Sequence, residues 1–273
     1  MQINCKGNLI DLSTPKVMGV LNLTPDSFYD GGKYKDLPKA LKQAEKMLND
    51  GATFIDLGAY SSRPGADHIS ETEEKKRLIP VLNELIKAFP EILISVDTFR
   101  ANVAKLAVEA GASMVNDISA GNLDQDMFST LAKLQVPYIM MHMKGTPQTM
   151  KQHAKYSDVV EEVNFYFSEK ISQARAHGIN DCIIDPGFGF AKNVEQNYVL
   201  LQHLEALQFH KVPVLVGLSR KSLIYKLLET TPQQALNGTS VLNTIAIQKK
   251  AKILRVHDVK EATEVIQLLA QFN

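Results

Sequence analysis

Eight short β-branched or apolar runs in this chain each end in a side chain able to do chemistry: Asn22, Asp56, Asp97, Asn116, His142, Asp185, Ser219 and His257. A closed barrel of parallel strands gathers its strand carboxyl ends on one face, and the groups that act on a ligand sit there. The pattern predicts an α/β chain folded as a single (β/α)8, or TIM, barrel. Strands are expected at 17–23, 54–57, 93–96, 114–116, 138–141, 183–185, 214–216 and 253–256. These runs are apolar and mostly non-alternating, as strands covered on both faces are.

Helical periods fill the gaps. Leu37, Ala40, Leu41, Ala44, Met47 and Leu48 mark one apolar face, Val103, Leu106, Ala107 and Ala110 a second, and Val259, Ala262, Ile266 and Leu269 the closing one. Asp50-Gly51-Ala52, Ala110-Gly111-Ala112 and His177-Gly178-Ile179 each set glycine where a helix stops before a strand, because the cap there is left-handed. Ahead of the first barrel strand, Cys5 to Leu12 reads as a short β-hairpin around Gly7-Asn8, placed to plug the amino end of the barrel.

With 273 residues and 45% hydrophobic content, the chain is expected to form one domain over 1–273. Thirty basic residues balance thirty acidic ones, so there is no broad positive field for nucleic acid and no net charge suited to a membrane surface. Without a basic, greasy leader or a long apolar segment, a cytoplasmic location is expected. Only Cys5 and Cys182 are present, and both read as reduced and structural.

Asp97 and Asp185 at strand ends are costly to bury and need cations or a ligand with several N–H donors. Asn116 adds a group that both donates and accepts, as a ring with adjacent N–H and carbonyl groups requires. Asp185 opens Asp185-Pro186-Gly187-Phe188-Gly189-Phe190, where glycines permit close approach of a flat ligand and Phe190 offers a ring contact. Either carboxylate alone would read as a helix cap; two with an amide read as a binding floor. Arg63 in Ser61-Ser62-Arg63-Pro64-Gly65, Lys221 in Gly217-Leu218-Ser219-Arg220-Lys221-Ser222, and Arg255 with His257 suit a phosphate or pyrophosphate. Arg255 and His257, two apart, share one side of their strand. Arg220 reads as a solvated loop residue, and His142, lacking an H-x-H partner, as structural rather than metal-binding. Lys192 stands where a dinucleotide loop would need its third glycine, which rejects a Rossmann reading. The loops Thr24 to Gly32 and Ser61 to His68 are placed to hold substrate.

Asn22-Leu23-Thr24-Pro25-Asp26-Ser27-Phe28, Ser62-Arg63-Pro64-Gly65, Asp97-Thr98, Asn116-Asp117, Met141-His142-Met143, Asp185-Pro186-Gly187-Phe188-Gly189, Ser219-Arg220-Lys221-Ser222 and Arg255-Val256-His257-Asp258 occur in the order of one family. By these motifs, which run through nearly the whole chain, it resembles the dihydropteroate synthases. The resemblance implies condensation of 6-hydroxymethyl-7,8-dihydropterin diphosphate with p-aminobenzoate, releasing pyrophosphate and 7,8-dihydropteroate, in a homodimer that uses Mg²⁺ and is blocked by sulfonamides. It further implies a pterin pocket of Asp97, Asn116, Asp185, Gly217 and Lys221 lined by Met140 and Ile118. Asn22, Arg255 and His257 would serve the pyrophosphate, with Asn22 on Mg²⁺. Phe28, Ser62, Arg63, Pro64, Phe190 and Ser222 would serve p-aminobenzoate. Asp97, Lys221, Arg255 and His257 are the candidates for catalysis. Ala59 and Tyr60 stand where the second loop of that family usually carries glycine and glutamate, and Tyr29 replaces a common serine. A pterin-binding methyltransferase domain on the same barrel would share the carboxylate floor but does not need Ser62-Arg63-Pro64 or the Arg255/His257 pair. A silent pterin-binding paralogue would show damage at Lys221, Arg63 or Arg255, and all three are intact.

Overall fold

The computed structural model describes residues 1–23, 37–60 and 68–272. Eight parallel strands form the barrel: β3 (Lys16–Asn22), β4 (Phe54–Gly58), β5 (Ile94–Asp97), β6 (Met114–Asp117), β7 (Tyr138–Met141), β8 (Cys182–Asp185), β9 (Leu215–Val216) and β10 (Ile253–Val256). They pair in the order β8-β7-β6-β5-β4-β3-β10-β9. The ring closes where Ile184 bridges Val214 in parallel and its N–H donates to Pro213 O at 3.0 Å. Each strand lies within a residue or two of its expected place.

Helices α1 (Leu37–Asn49), α2 (Glu71–Ala88), α3 (Ala101–Glu109), α4 (Met127–Leu134), α5 (Val159–Ala176), α6 (Val194–Gln202), α7 (Ser222–Tyr225), α8 (Leu236–Gln248) and α9 (Val259–Leu269) cover the strands. Their apolar stripes, such as Ala40, Ala44 and Met47 of α1 and Val103, Ala104 and Ala107 of α3, pack onto the outward strand residues Val17, Leu21, Ile55, Leu57, Val96 and Val115. The three helix-ending glycines have φ of 101° (Gly51), 111° (Gly111) and 84° (Gly178), the left-handed caps the sequence predicts. None of the helices among the described residues is long and apolar enough to cross a membrane.

At the amino end, β1 (Gln2–Cys5) and β2 (Asn8–Asp11) pair antiparallel. The turn residues are Lys6 and Gly7, one position earlier than expected, and both are left-handed (φ 53° and 83°) as a two-residue hairpin turn requires. Asn4 Oδ1 accepts from the Gly7 N–H at 2.8 Å and fixes that register. Ile3, Cys5 and Leu12 then pack on Met18, Phe54, Met114, Ile139, Ile183, Leu215 and Ile253, the first inward residues of seven strands. The hairpin is the expected plug, and it leaves the carboxyl end to polar groups.

Candidate active site

Strand alternation sets what the barrel interior contains. Above the apolar tier sealed by the hairpin, the next inward positions are Val20, Asp56, Ser95, Asn116, Met141, Asp185, Gly217 and Arg255, followed by Asn22, Gly58, Asp97 and Ile118. Most of these are polar, and nearly all are buried. Such a stack is unfavourable unless its charges pair and its hydrogen bonds close.

Arg255 closes most of them. Its Nε donates to Asp56 Oδ2 at 2.6 Å and a terminal nitrogen donates to Asp97 Oδ2 at 2.9 Å. Asn116 Nδ2 donates to the same Asp56 oxygen at 3.2 Å, so one guanidinium and one amide tie three neighbouring strands to β10. Burial works against the charge on Arg255, but the Asp56 and Asp97 carboxylates outweigh it and hold the group protonated. Asp97 is pushed up to about 8, first by burial and then by repulsion from Asp56, with Arg255 opposing. Asp56 Oδ1 and Ser95 Oγ, opposite each other in the β4/β5 register, have no hydrogen-bond partner among the described residues.

Across the mouth, Asp185 Oδ1 accepts the Gly187 N–H at 2.8 Å, the local turn that a cap-like reading anticipates. Burial raises the Asp185 carboxyl, and Lys221 is the main group opposing it. Lys221 itself is lowered to about 8 by burial, with Asp185 pulling the other way. Lys221 Nζ donates to Phe188 O and lies 4.9 Å from the centre of the Phe190 ring. Gly217 lies beside that nitrogen, where a Cβ would sit at 3.5 Å, an ordinary contact. Asn22 and Asp97 face each other across Gly58, where a Cβ would lie 3.8 Å from Asn22 Oδ1 and 3.4 Å from Asp97 Cβ. His257 Nδ1 lies 3.1 Å from Ser219 Oγ, which also accepts the His257 N–H. Ser222 opens α7 directly after Lys221.

The structure therefore gathers Asn22, Asp97, Asn116, Asp185, Gly217, Lys221, Arg255 and His257 at strand ends of one face, with Ile118 and Phe190 in an apolar cluster that also holds Tyr60, Phe99 and Met141. Met140 is a correction. It faces the helices with Tyr138 and Val115, and Met141 takes the mouth side with Ile118, because β7 starts in the opposite phase. Arg220 is more than a solvated loop residue: with 35% of its side chain exposed, its Nε also donates to Asp258 Oδ2 at 3.0 Å and so clamps the β9 and β10 ends together. His142 is buried and structural, as its isolation in the sequence suggests. Phe28, Ser62, Arg63 and Pro64 lie outside the described residues. Two contributors escaped sequence reasoning. Asp56 was visible as a strand-end acid but had no assigned partner, and Lys192 was noted only as a missing glycine. A surface cavity of about 860 Å³ lined by Phe165, Tyr166 and Phe209 lies on the barrel flank, away from the carboxylate and guanidinium set.

A TIM barrel whose mouth combines carboxylates, an amide and cations is an enzyme built for a nitrogen heterocycle carrying an anionic group. Residues 18–257 match the family described as pterin binding enzyme. The dihydropteroate synthase of Escherichia coli (strain K12) is 43% identical over 271 residues, spanning 98% of this chain and 95% of that protein. The crystal structure of the Yersinia pestis dihydropteroate synthase with a sulfonamide drug superposes with a TM-score of 0.93 at 42% identity, covering 100% of this chain and 99% of that one. The Xanthomonas albilineans dihydropteroate synthase in complex with 7,8-dihydropteroate gives 0.87 at 33% identity, covering 99% and 98%. The chain belongs to the dihydropteroate synthase family of pterin-binding enzymes, and it is a transferase of folate biosynthesis.

Proposed function

We propose that the chain, acting as one domain over 1–273, condenses 6-hydroxymethyl-7,8-dihydropterin diphosphate with p-aminobenzoate to give 7,8-dihydropteroate and pyrophosphate. The observation that carries this reading is the Arg255 bridge between Asp56 and Asp97, set beside Asn116 and facing Asp185 and Lys221 in one recess. A pterin edge offers adjacent N–H and amino donors, and Asp185, with Asn116 and Lys221, supplies matching acceptors and donors. Those donors would also return the raised carboxyls to their charged form.

The reaction breaks the C–O bond between the ring-borne CH₂ and the diphosphate, then forms a C–N bond to the aromatic amine, whose proton is lost. Arg255 and His257 stabilise charge on the departing diphosphate, while Asp97 favours the cationic pterin fragment electrostatically. The step is a dissociative substitution without a covalent enzyme intermediate. Phe190 and Ser222 lie on the p-aminobenzoate side, with Phe28, Ser62, Arg63 and Pro64 assigned there by family likeness.

Among the described residues no three His, Cys, Asp or Glu side chains cluster as a metal cage. Mg²⁺ fits a sparser set, since it keeps several waters and takes substrate phosphate oxygens, so a single protein oxygen suffices. Asn22 Oδ1 at the mouth is that oxygen. Bound with the diphosphate, the ion would neutralise charge on the leaving group. We read the enzyme as a cytoplasmic homodimer; exposed Leu227, Leu228 and Val241, of which Leu228 lies against Gly238, support self-association.

Protein supplied with the pterin diphosphate, p-aminobenzoate and Mg²⁺ is expected to form dihydropteroate and pyrophosphate in equal amounts, with no alkyl adduct on the protein after a single turnover. Pyrophosphate release without dihydropteroate, or an adduct by mass spectrometry, contradicts the reading.

A further inference from the structure

We propose that Lys192 is a positioning residue for the pterin floor: it ties the strained segment from Asp185 to Phe190 to the barrel wall at His142, and so sets the place of Lys221. This rests on the function proposed above. Lys192 Nζ lies 2.9 Å from His142 Nδ1, 3.2 Å from Gly187 O and 3.1 Å from Phe190 O. In its ammonium form Lys192 has three N–H bonds for these three acceptors; burial lowers it to about 7, with Asp185 the group that opposes this. Among the described residues no carboxylate pairs with it directly.

One end of this tie is fixed without Lys192. The His142 N–H donates to Asp185 O at 2.9 Å, and its ring packs edge-on against Tyr166 with centroids 4.8 Å apart. Burial first, and Lys192 second, hold the imidazole well below its usual value, so it is neutral with Nδ1 as acceptor.

The other end needs holding. Gly187, Gly189 and Ala191 are all left-handed (φ 68°, 80° and 47°), and alanine takes that conformation at a cost. A Cβ at Gly187 would come within 2.2 Å of His142 O, so the loop presses directly on the wall. Asn197 Oδ1 accepts the Gly189 N–H at 2.7 Å, Tyr156 donates to Ala191 O at 2.9 Å and Asp185 Oδ1 holds the Gly187 N–H, but among the described residues Lys192 is the side chain that links both Gly187 O and Phe190 O to His142. On its far side the same loop shapes Lys221, through Phe188 O, the Phe190 ring and a 3.3 Å approach of Lys221 Cδ to a Cβ position at Gly189. Loosening the tie therefore moves the ammonium that faces Asp185, without removing any group from the pterin pocket.

The test is Lys192→Met, which keeps an unbranched chain and deletes the ammonium. Calorimetric affinity for the pterin diphosphate is expected to weaken by roughly tenfold to 100-fold, the scale of a small misplacement of binding groups, with kcat at saturation changed less than about threefold. Should this variant not fold, Lys192→Arg, which keeps charge but not the three-point ammonium geometry, is expected to give the same split between affinity and kcat. Wild-type affinity in the folded variant, or a loss confined to kcat, overturns the inference. A wild-type protein that binds the pterin but makes no dihydropteroate overturns the proposed function instead, and leaves the affinity comparison readable.

Discussion

Asp97 shows how a residue's burden becomes a measurable property. Its carboxyl is raised to about 8, chiefly by burial and by Asp56. In the unfolded chain it titrates near its ordinary value of about 4. Its favourable contribution is thus complete below about pH 4 and is lost as pH rises toward 8. Asp97→Asn keeps the shape without titrating. The ligand-free variant is expected to gain stability over the wild type across that window, on the order of a few kcal/mol at most, while losing pterin affinity. Thermal unfolding at a series of pH values checks this, and a difference independent of pH contradicts it. The acid and amide ends of the strands were legible in the sequence because each closes an apolar run. Their partners were not. Asp56 and Arg255 are 199 positions apart, and only closure of the ring makes them neighbours.

At the scale of elements, phase was the harder reading. An apolar strand covered on both faces has no alternation to reveal which residues point inward, so nothing in β7 itself could check the family likeness that puts Met140 at the mouth, where Met141 stands. The Arg220 clamp escaped for a related reason: Asp258, its partner, lies on another strand end. The hairpin could be read because its turn chemistry and position ahead of the first barrel strand are local, although its register slid by one residue. Because it seals the end opposite the polar mouth, stability and activity should separate there. Ile3→Ala, at a buried position, is expected to cost about 2–5 kcal/mol in urea unfolding while kcat/KM under native conditions stays near wild type. A fall in kcat/KM without loss of stability would mean that the two ends are coupled.

For the whole molecule, the division is between an apolar lower barrel, which needs only packing, and a polar upper barrel in which Arg255 links acids from two strands and Lys221 opposes a third. The fold class and face of the site follow from repeated strand, helix and glycine signals. Of the loops Thr24 to Gly32 and Ser61 to His68, which the sequence marks for substrate, only His68 is among the described residues. The central claim is that one recess receives both the heterocycle and its leaving group. A crystal structure of the protein with the pterin diphosphate is the direct measurement. The ring should lie among Asp97, Asn116 and Asp185 with the diphosphate against Arg255 and His257; a ring seated elsewhere, or a diphosphate pointing away from β10, contradicts the account.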